Sequence, residues 1–266
     1  MNVWKFNEDI WEKARELYRD MPWRDNTDPY YILVSELMLQ QTQVDRVIPK
    51  FELFMNTFPT VKRLAQAPLS EVLTVWSGLG YNRRAKFLHE AAKKVITDFN
   101  GVIPGTYDAL VSLPGVGPNT AGAILVYSFN EPVVFIETNV RTVYFHHFFD
   151  DQALVTDKEL KELVEQTIDK EHPREWYWGL MDYGSYLKKQ GASRNDKSSH
   201  YKKQAPLKGS VREVRGLILK SLSKKDYLSG ELRRAMPEDE RFDAALKAMV
   251  AEGLISQTGD RLYLTK

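Results

Sequence analysis

Leu113-Pro114-Gly115-Val116-Gly117, running through Pro118-Asn119 into Thr120-Ala121-Gly122-Ala123, says more about architecture than any other short segment of this chain. Two glycines around an apolar residue let the backbone turn tightly and approach a neighbour closely. The turn lies between a helix expected to end near Ser112 and another expected to open near Asn119. The start of that second helix would present unpaired amide hydrogens and a partial positive charge, which together hold a phosphate without reading a base. Leu113 and Val116 are suited to pin the turn to the core, and the small residues from Thr120 to Ala123 permit close helix packing. Gly-x-Gly alone also describes an ordinary turn between helices; the residues around it favour the phosphate clamp.

On either side, helical periodicity extends from Asp9 to about Leu187. It predicts helices over Tyr30–Val44, Leu69–Trp76, Arg83–Phe99, Thr120–Phe129, Val140–Phe149 and Asp157–Ile168, with Gly, Pro and Asn punctuation between them. Thr60 is placed to accept the free amides of Val61-Lys62-Arg63. Residues 190–209, poor in apolar side chains and rich in turn formers, read as a basic linker between a domain over 1–189 and a second over 210–266. In that second domain Val211–Leu222, Ser229–Ala235 and Glu240–Glu252 read as helices, and Gly253 suits a left-handed cap. Leu254–Gln257 and Arg261–Leu264 alternate as a hairpin around Thr258-Gly259-Asp260. Three helices and a hairpin follow the order of a winged-helix module. The expected class is therefore all-α, a many-helix domain with a small winged-helix-like module behind it.

The 266 residues are 43% hydrophobic, with 13 Tyr, 12 Phe and 6 Trp, enough to bury a substantial core. A net charge of +1 says nothing for nucleic acid, so local distribution must. Lys188, Lys189, Arg194, Lys197, Lys202, Lys203, Lys208, Arg212, Arg215 and Lys220 are opposed only by Asp196 and Glu213, which marks a phosphate-facing segment or a solvated linker. The absence of cysteine excludes disulfides, thiolate nucleophiles and cysteine-ligated zinc or iron–sulfur centres. The five histidines show no metal-ligand spacing, and no apolar run reaches the ~20 residues that span a bilayer. These features predict a cytoplasmic protein without membrane contact.

Pro22-Trp23-Arg24, Asp28-Pro29-Tyr30, Ser35-Glu36-Leu37-Met38-Leu39-Gln40-Gln41-Thr42-Gln43-Val44 and Trp76-Ser77-Gly78-Leu79-Gly80-Tyr81 precede the hairpin in that order. With it they resemble the helix-hairpin-helix (HhH-GPD) DNA glycosylase superfamily, and within it the MutY-type adenine DNA glycosylases, over roughly Arg19 to Leu187. The resemblance implies a base excision repair enzyme that binds double-stranded DNA as a monomer, flips out adenine mispaired with 8-oxoguanine or guanine, and hydrolyses its glycosidic bond. Detaching a purine needs an acid for the leaving base and an anion for the sugar cation. Family positions give the acid role to Glu36, whose partial burial on an apolar helix is expected to favour the protonated form. They give the anion role to Glu137, supported by Asn139. The superfamily usually has Asp where this chain has Glu137. Asn119 occupies the place of the lysine with which bifunctional relatives attack the sugar, which implies a monofunctional enzyme.

By the same resemblance Gln41, with Leu39 and Thr42, would fill the vacated base stack. Arg19, Trp23, Arg24, Asp182, Tyr81 and Asn82 would line the base site. Leu113, Gly115, Val116, Gly117, Thr120, Lys188 and Lys189 would meet the DNA backbone. Three departures stand out. The four cysteines of the usual iron–sulfur cluster, expected after Gly184-Ser185-Tyr186-Leu187, are missing, so no cofactor is expected beyond a monovalent cation at the hairpin. Asn82 stands where many adenine glycosylases carry a second aromatic. The large C-terminal domain that helps recognise 8-oxoguanine is replaced by the short module. A mismatch glycosylase for thymine, uracil or a damaged base, and a non-catalytic DNA-binding protein, are the competing readings.

Overall fold

A computed structural model of the protein describes residues 2–149, 154–198, 206–236 and 240–266. Its helices are α1 (Val3–Glu16), α2 (Pro29–Leu39), α3 (Val44–Thr57), α4 (Val61–Gln66), α5 (Leu69–Trp76), α6 (Arg83–Asp98), α7 (Tyr107–Val111), α8 (Pro118–Phe129), α9 (Thr138–Phe148), α10 (Asp157–Thr167) and α11 (Pro173–Lys189). After these come α12 (Val211–Leu222), β1 (Tyr227–Leu228), α13 (Ser229–Arg234), α14 (Phe242–Ala251), β2 (Ile255–Thr258) and β3 (Arg261–Leu264). The expected helical architecture and C-terminal hairpin are present, and Gly253 has the left-handed backbone expected of it, at φ 67°. The hairpin carries an extra strand: β1 pairs with β3, giving the antiparallel order β1-β3-β2. Among the described residues no helix is long and apolar enough to cross a membrane.

Contacts group the chain into two compact units that do not follow the expected domain boundaries at 189 and 210. The first takes the described residues of 1–32, 105–111 and 117–203; the second takes those of 33–104, 112–116 and 204–266. In the first, α11 packs on α1 and α9, and α10 on α1. Phe6 meets Tyr144 and Phe148 with ring centroids 5.0 and 4.9 Å apart. Gly184 lets α11 come close to α9, since a Cβ there would fall 2.4 Å from the Asn139 carbonyl oxygen. The expected linker is ordered over its first part. Asn195 Nδ2 donates to Thr142 Oγ1 at 2.9 Å, and Ser198 bridges Val155. Polar side chains dock this segment by hydrogen bonds, so its poverty in apolar residues gives no sign of the packing. Lys202 and Lys203 lie outside the described residues.

In the second unit α6 packs on α4 and α5, α5 on α3, and α12 on both α14 and α5. The C-terminal module therefore shares a unit with the helices before the hairpin instead of standing apart. Thr60 caps α4 as expected, accepting from Arg63 N at 3.1 Å.

Candidate active site

Helix α2 ends at Leu39, five residues before the expected Val44. Its segment from Ile32 to Met38 is buried, including Ser35, and Glu36 is the one charged side chain in the helix. A helix apolar on all faces is a core helix, and Glu36 retains 9% exposure there. The end of α2 is set by Arg84, a residue that the sequence did not single out. Its Nη1 donates to the carbonyls of Leu37 and Met38 at 2.8 Å each and to that of Gln40, while Nη2 donates to Thr42 Oγ1 at 3.0 Å. The last carbonyls of a helix have no partner within it, and one guanidinium satisfies them here. Burial pulls the Arg84 pKa down to about 10, which leaves it charged at neutral pH.

Beyond that cap the chain turns sharply. Gln41 is exposed at φ 56°, so it and Thr42 stand on a turn and not on the helix end where sequence placed them. Gln40 Nε2 donates to the Gly115 carbonyl at 3.3 Å, linking this turn to the hairpin. Gly115 has φ 81°, and a Cβ on it would lie 2.8 Å from the Phe87 Cβ and 3.3 Å from Leu37, so only glycine fits. Leu113 and Val116 are buried as expected. Gly117 caps α8 with nothing within 4 Å of where its Cβ would stand, and Pro118 and Asn119 are exposed, so the amide end of α8 opens outward. Thr120 is buried. Tyr81 has φ 47°, and Asn82 is 5% exposed and buried in place of the usual second aromatic.

In the other unit, Glu137 follows an extended segment outside any sheet, whose backbone is satisfied by side chains. Phe135 N donates to the Tyr177 hydroxyl at 3.1 Å. Asn119 Nδ2 donates to the Ile136 carbonyl at 2.8 Å, and Ile136 N donates back to Asn119 Oδ1 at 3.4 Å. Asn119, read from sequence as marking the missing nucleophile, thus positions the residue before Glu137. Glu137 occupies the N-cap position of α9 but makes no cap hydrogen bond. Burial pushes its carboxyl above the ordinary glutamate range, opposed by the Lys188 ammonium. Lys188 is pulled down by desolvation and by Arg19, and pushed up by Glu137. Lys188, read as a phosphate contact, therefore also acts electrostatically on the Glu137 carboxyl. Lys189 is exposed. Asn139 donates to Met181 Sδ at 3.5 Å, and its buried Oδ1 has no donor among the described residues.

Asp182, 2% exposed, accepts Arg24 Nη1 and Nη2 at 2.7 and 2.9 Å, Arg19 Nε at 2.7 Å and Arg19 N at 3.2 Å. Both of its oxygens accept from arginines, so it organises Arg19 and Arg24. Arg24 also lies 5.2 Å from the ring centroids of Tyr18 and Trp178, and Trp23 is buried.

Residues 34–170, a little over half the chain, match the HhH-GPD superfamily of base excision DNA repair proteins. The chain belongs to this superfamily. It is 31% identical over 266 residues to the adenine DNA glycosylase of Mycobacterium tuberculosis (strain ATCC 25618 / H37Rv), covering 91% of this chain and 88% of that protein. It is 35% identical over 173 residues to the adenine DNA glycosylase of Buchnera aphidicola subsp. Baizongia pistaciae (strain Bp), covering 64% of this chain. The chain spans only about half of that relative's length, 48%. Among solved structures, a thermostable thymine-DNA glycosylase superposes with a TM-score of 0.63 at 28% identity, over 69% of this chain and 86% of that one. An endonuclease III–DNA covalent intermediate superposes with a TM-score of 0.58 at 20% identity, over 77% and 91%, and shares the fold.

The cysteine-ligated iron–sulfur cluster usual in MutY-type enzymes does not fit the residues of this chain. The chain holds no cysteine, and after Leu187 it continues through Lys188-Lys189-Gln190 into a turn closed by Ala192 N donating to the Leu187 carbonyl at 2.9 Å. The Asn195–Thr142 hydrogen bond and the Ser198 bridge secure the backbone beyond that turn.

Proposed function

We propose that this protein is a monofunctional DNA glycosylase acting as a monomer on double-stranded DNA in the cytoplasm, releasing adenine mispaired with 8-oxoguanine or guanine. One observation carries a catalytic reading over a binding one. Glu137 sits where a carboxylate would ordinarily cap a helix, yet caps nothing, and its approach is pinned by Asn119 and Tyr177. A pure binder has no use for a desolvated carboxyl placed with such care.

In the proposed reaction Glu36 gives a proton to the adenine ring as the C1′–N9 bond breaks. The Glu137 carboxylate steadies the sugar cation and takes a proton from the water that adds to C1′. The buried Asn139 acceptor beside it suits a role in orienting that water. The products are free adenine and an intact abasic strand, because Asn119 offers no amine to attack the sugar. The α8 amide end would take a phosphate, supplemented at most by a monovalent cation on the hairpin. The 28% identity to a thymine-DNA glycosylase supports a second reading, a thymine mismatch enzyme.

Duplexes carrying single defined mismatches, incubated with the protein and then treated with alkali, separate these readings. Strand breaks at adenine opposite 8-oxoguanine or guanine, seen only after alkali, are expected. Release of thymine or uracil instead, breaks without alkali, or binding with no release would overturn the reading.

A further inference from the structure

The Gly78-Leu79-Gly80-Tyr81 turn is made of backbone that most residues avoid, with φ 100° at Gly78, 78° at Gly80 and 47° at Tyr81. Glycine adopts such angles freely, whereas tyrosine is strained by them, and strain of this kind persists only where the surroundings over-determine it. The carbonyls here are taken by side chains and by the next helix. Arg46 donates to Gly78 O. Trp76 Nε1 and Arg84 Nη2 donate to Gly80 O at 3.2 and 3.0 Å, and Arg84 N donates to Tyr81 O at 2.9 Å. These bonds hold the backbone and leave the ring to be fixed by something else.

That something comes from the C-terminal module. Arg212, at the start of α12, donates from Nη1 to the Tyr81 hydroxyl, and its guanidinium lies 5.3 Å from the ring centroid. The Arg84 guanidinium lies 5.5 Å from the same centroid. The module is anchored at a second point on α6, where Lys86 Nζ donates to the Glu252 carbonyl at 2.7 Å. Arg215 pairs with the Glu252 carboxylate through both terminal nitrogens, at 2.8 and 2.5 Å. Gly253 follows directly at φ 67°, a left-handed backbone that glycine adopts freely. Arg212 and Arg215 belong to the basic run read as a phosphate-facing segment or a solvated linker, and both are engaged within the protein.

We propose that Arg212 is a positioning residue for recognition of the mismatched pair, holding the Tyr81 ring in the attitude in which it meets DNA. The proposal rests on the adenine glycosylase reading, in which this turn lines the base site. With Asn82 buried, Tyr81 is the aromatic left at the end of the turn, so its orientation governs stacking here. The short module then contributes to lesion recognition without touching the lesion.

The test compares wild type with Arg212→Ala, Arg212→Lys, Tyr81→Phe and the Arg212→Ala/Tyr81→Phe double variant. Each is read as dissociation constants for mismatched and fully paired duplexes carrying a non-hydrolysable adenosine analogue, and as single-turnover base release at saturating DNA. Losing a charge-assisted hydrogen bond predicts roughly a tenfold loss of mismatch preference in Arg212→Ala. The saturated rate should stay within about threefold, Arg212→Lys should recover part of the preference, and the double variant should be little worse than either single one. Unchanged preference in Arg212→Ala, or losses that add in the double variant, would overturn the proposal. So would a loss that merely tracks melting temperature. If wild type binds mismatches selectively but releases no base, the glycosylase reading fails while the binding ratios still decide the role of Arg212.

Discussion

Glu36 lies within a helix whose other side chains are all uncharged and whose end is tied off by Arg84, whereas Glu137 stands at the first turn of α9 after a segment with no strand partner. The first carboxyl is placed by helix rigidity and apolar packing. The second is placed by side chains reaching for backbone, Asn119 and Tyr177 before it and Gly184 beside it, and is tuned by a lysine. An acid that must hold a proton suits an apolar helix, and a base or anion that must be charged in the transition state suits a neighbouring cation. The contrast is between a site fixed by one element and a site assembled from several, and it makes different substitutions informative at each.

The largest effect is expected where the acid itself is removed. Glu36→Gln keeps the shape of the side chain and removes the transferable proton, so base release should fall by about 10²–10⁴-fold, the usual worth of general acid catalysis. DNA affinity should stay within a few-fold. Undiminished single-turnover release would take Glu36 out of the chemistry and dissolve the comparison. Next comes the assembled side. Gly184→Ala puts a methyl 2.4 Å from the Asn139 carbonyl oxygen, forcing α9 and α11 apart. A displacement of about 1 Å at a catalytic group costs on the order of 10²-fold, so release should drop by that order. Activity near wild type in a variant that melts normally would show that Glu137 tolerates displacement.

Glu137→Asp restores the side chain that the superfamily usually carries, on a backbone arranged for the longer one. Retracting the carboxylate by one methylene should cost roughly tenfold in kcat/KM, less than misplacing the backbone. Equal activity with Glu and Asp would mean that the carboxylate acts through solvent and needs no contact.

How far these features could be read in the sequence follows the same divide. The hairpin, α8 and the apolar run of α2 depend on neighbours in the chain, and local pattern shows them. The end of α2 does not. Leu39-Gln40-Gln41-Thr42 continues an acceptable helical pattern, and the stop comes from Arg84, more than forty residues on. β1 is two residues long and shows no alternation. The basic run from Lys188 to Lys220 gave charge without partners, so nothing in it distinguished a lysine beside Glu137 from an arginine stacked on Tyr81. Asp182 matched the family position by its neighbours, but its role as the hub for Arg19 and Arg24 rests on pairings about 160 residues apart.

The smallest effect, and the sharpest on the difference between the two carboxyls, concerns Lys188. The Glu137 carboxyl titrates above the ordinary glutamate range in the folded protein, because burial outweighs the ammonium. The native state therefore keeps that proton to higher pH than the unfolded chain does. The stability this lends is complete below the ordinary glutamate value and is lost as pH rises through the raised one. Activity, which needs the anion, should climb over the same window, giving kcat/KM an acid limb above the usual carboxylate range. Lys188→Met removes the cation that favours the charged form, so the limb should move further up, by less than about one pH unit for a single partly solvated charge. A limb that stays in place or moves down in Lys188→Met would assign it to a group other than Glu137.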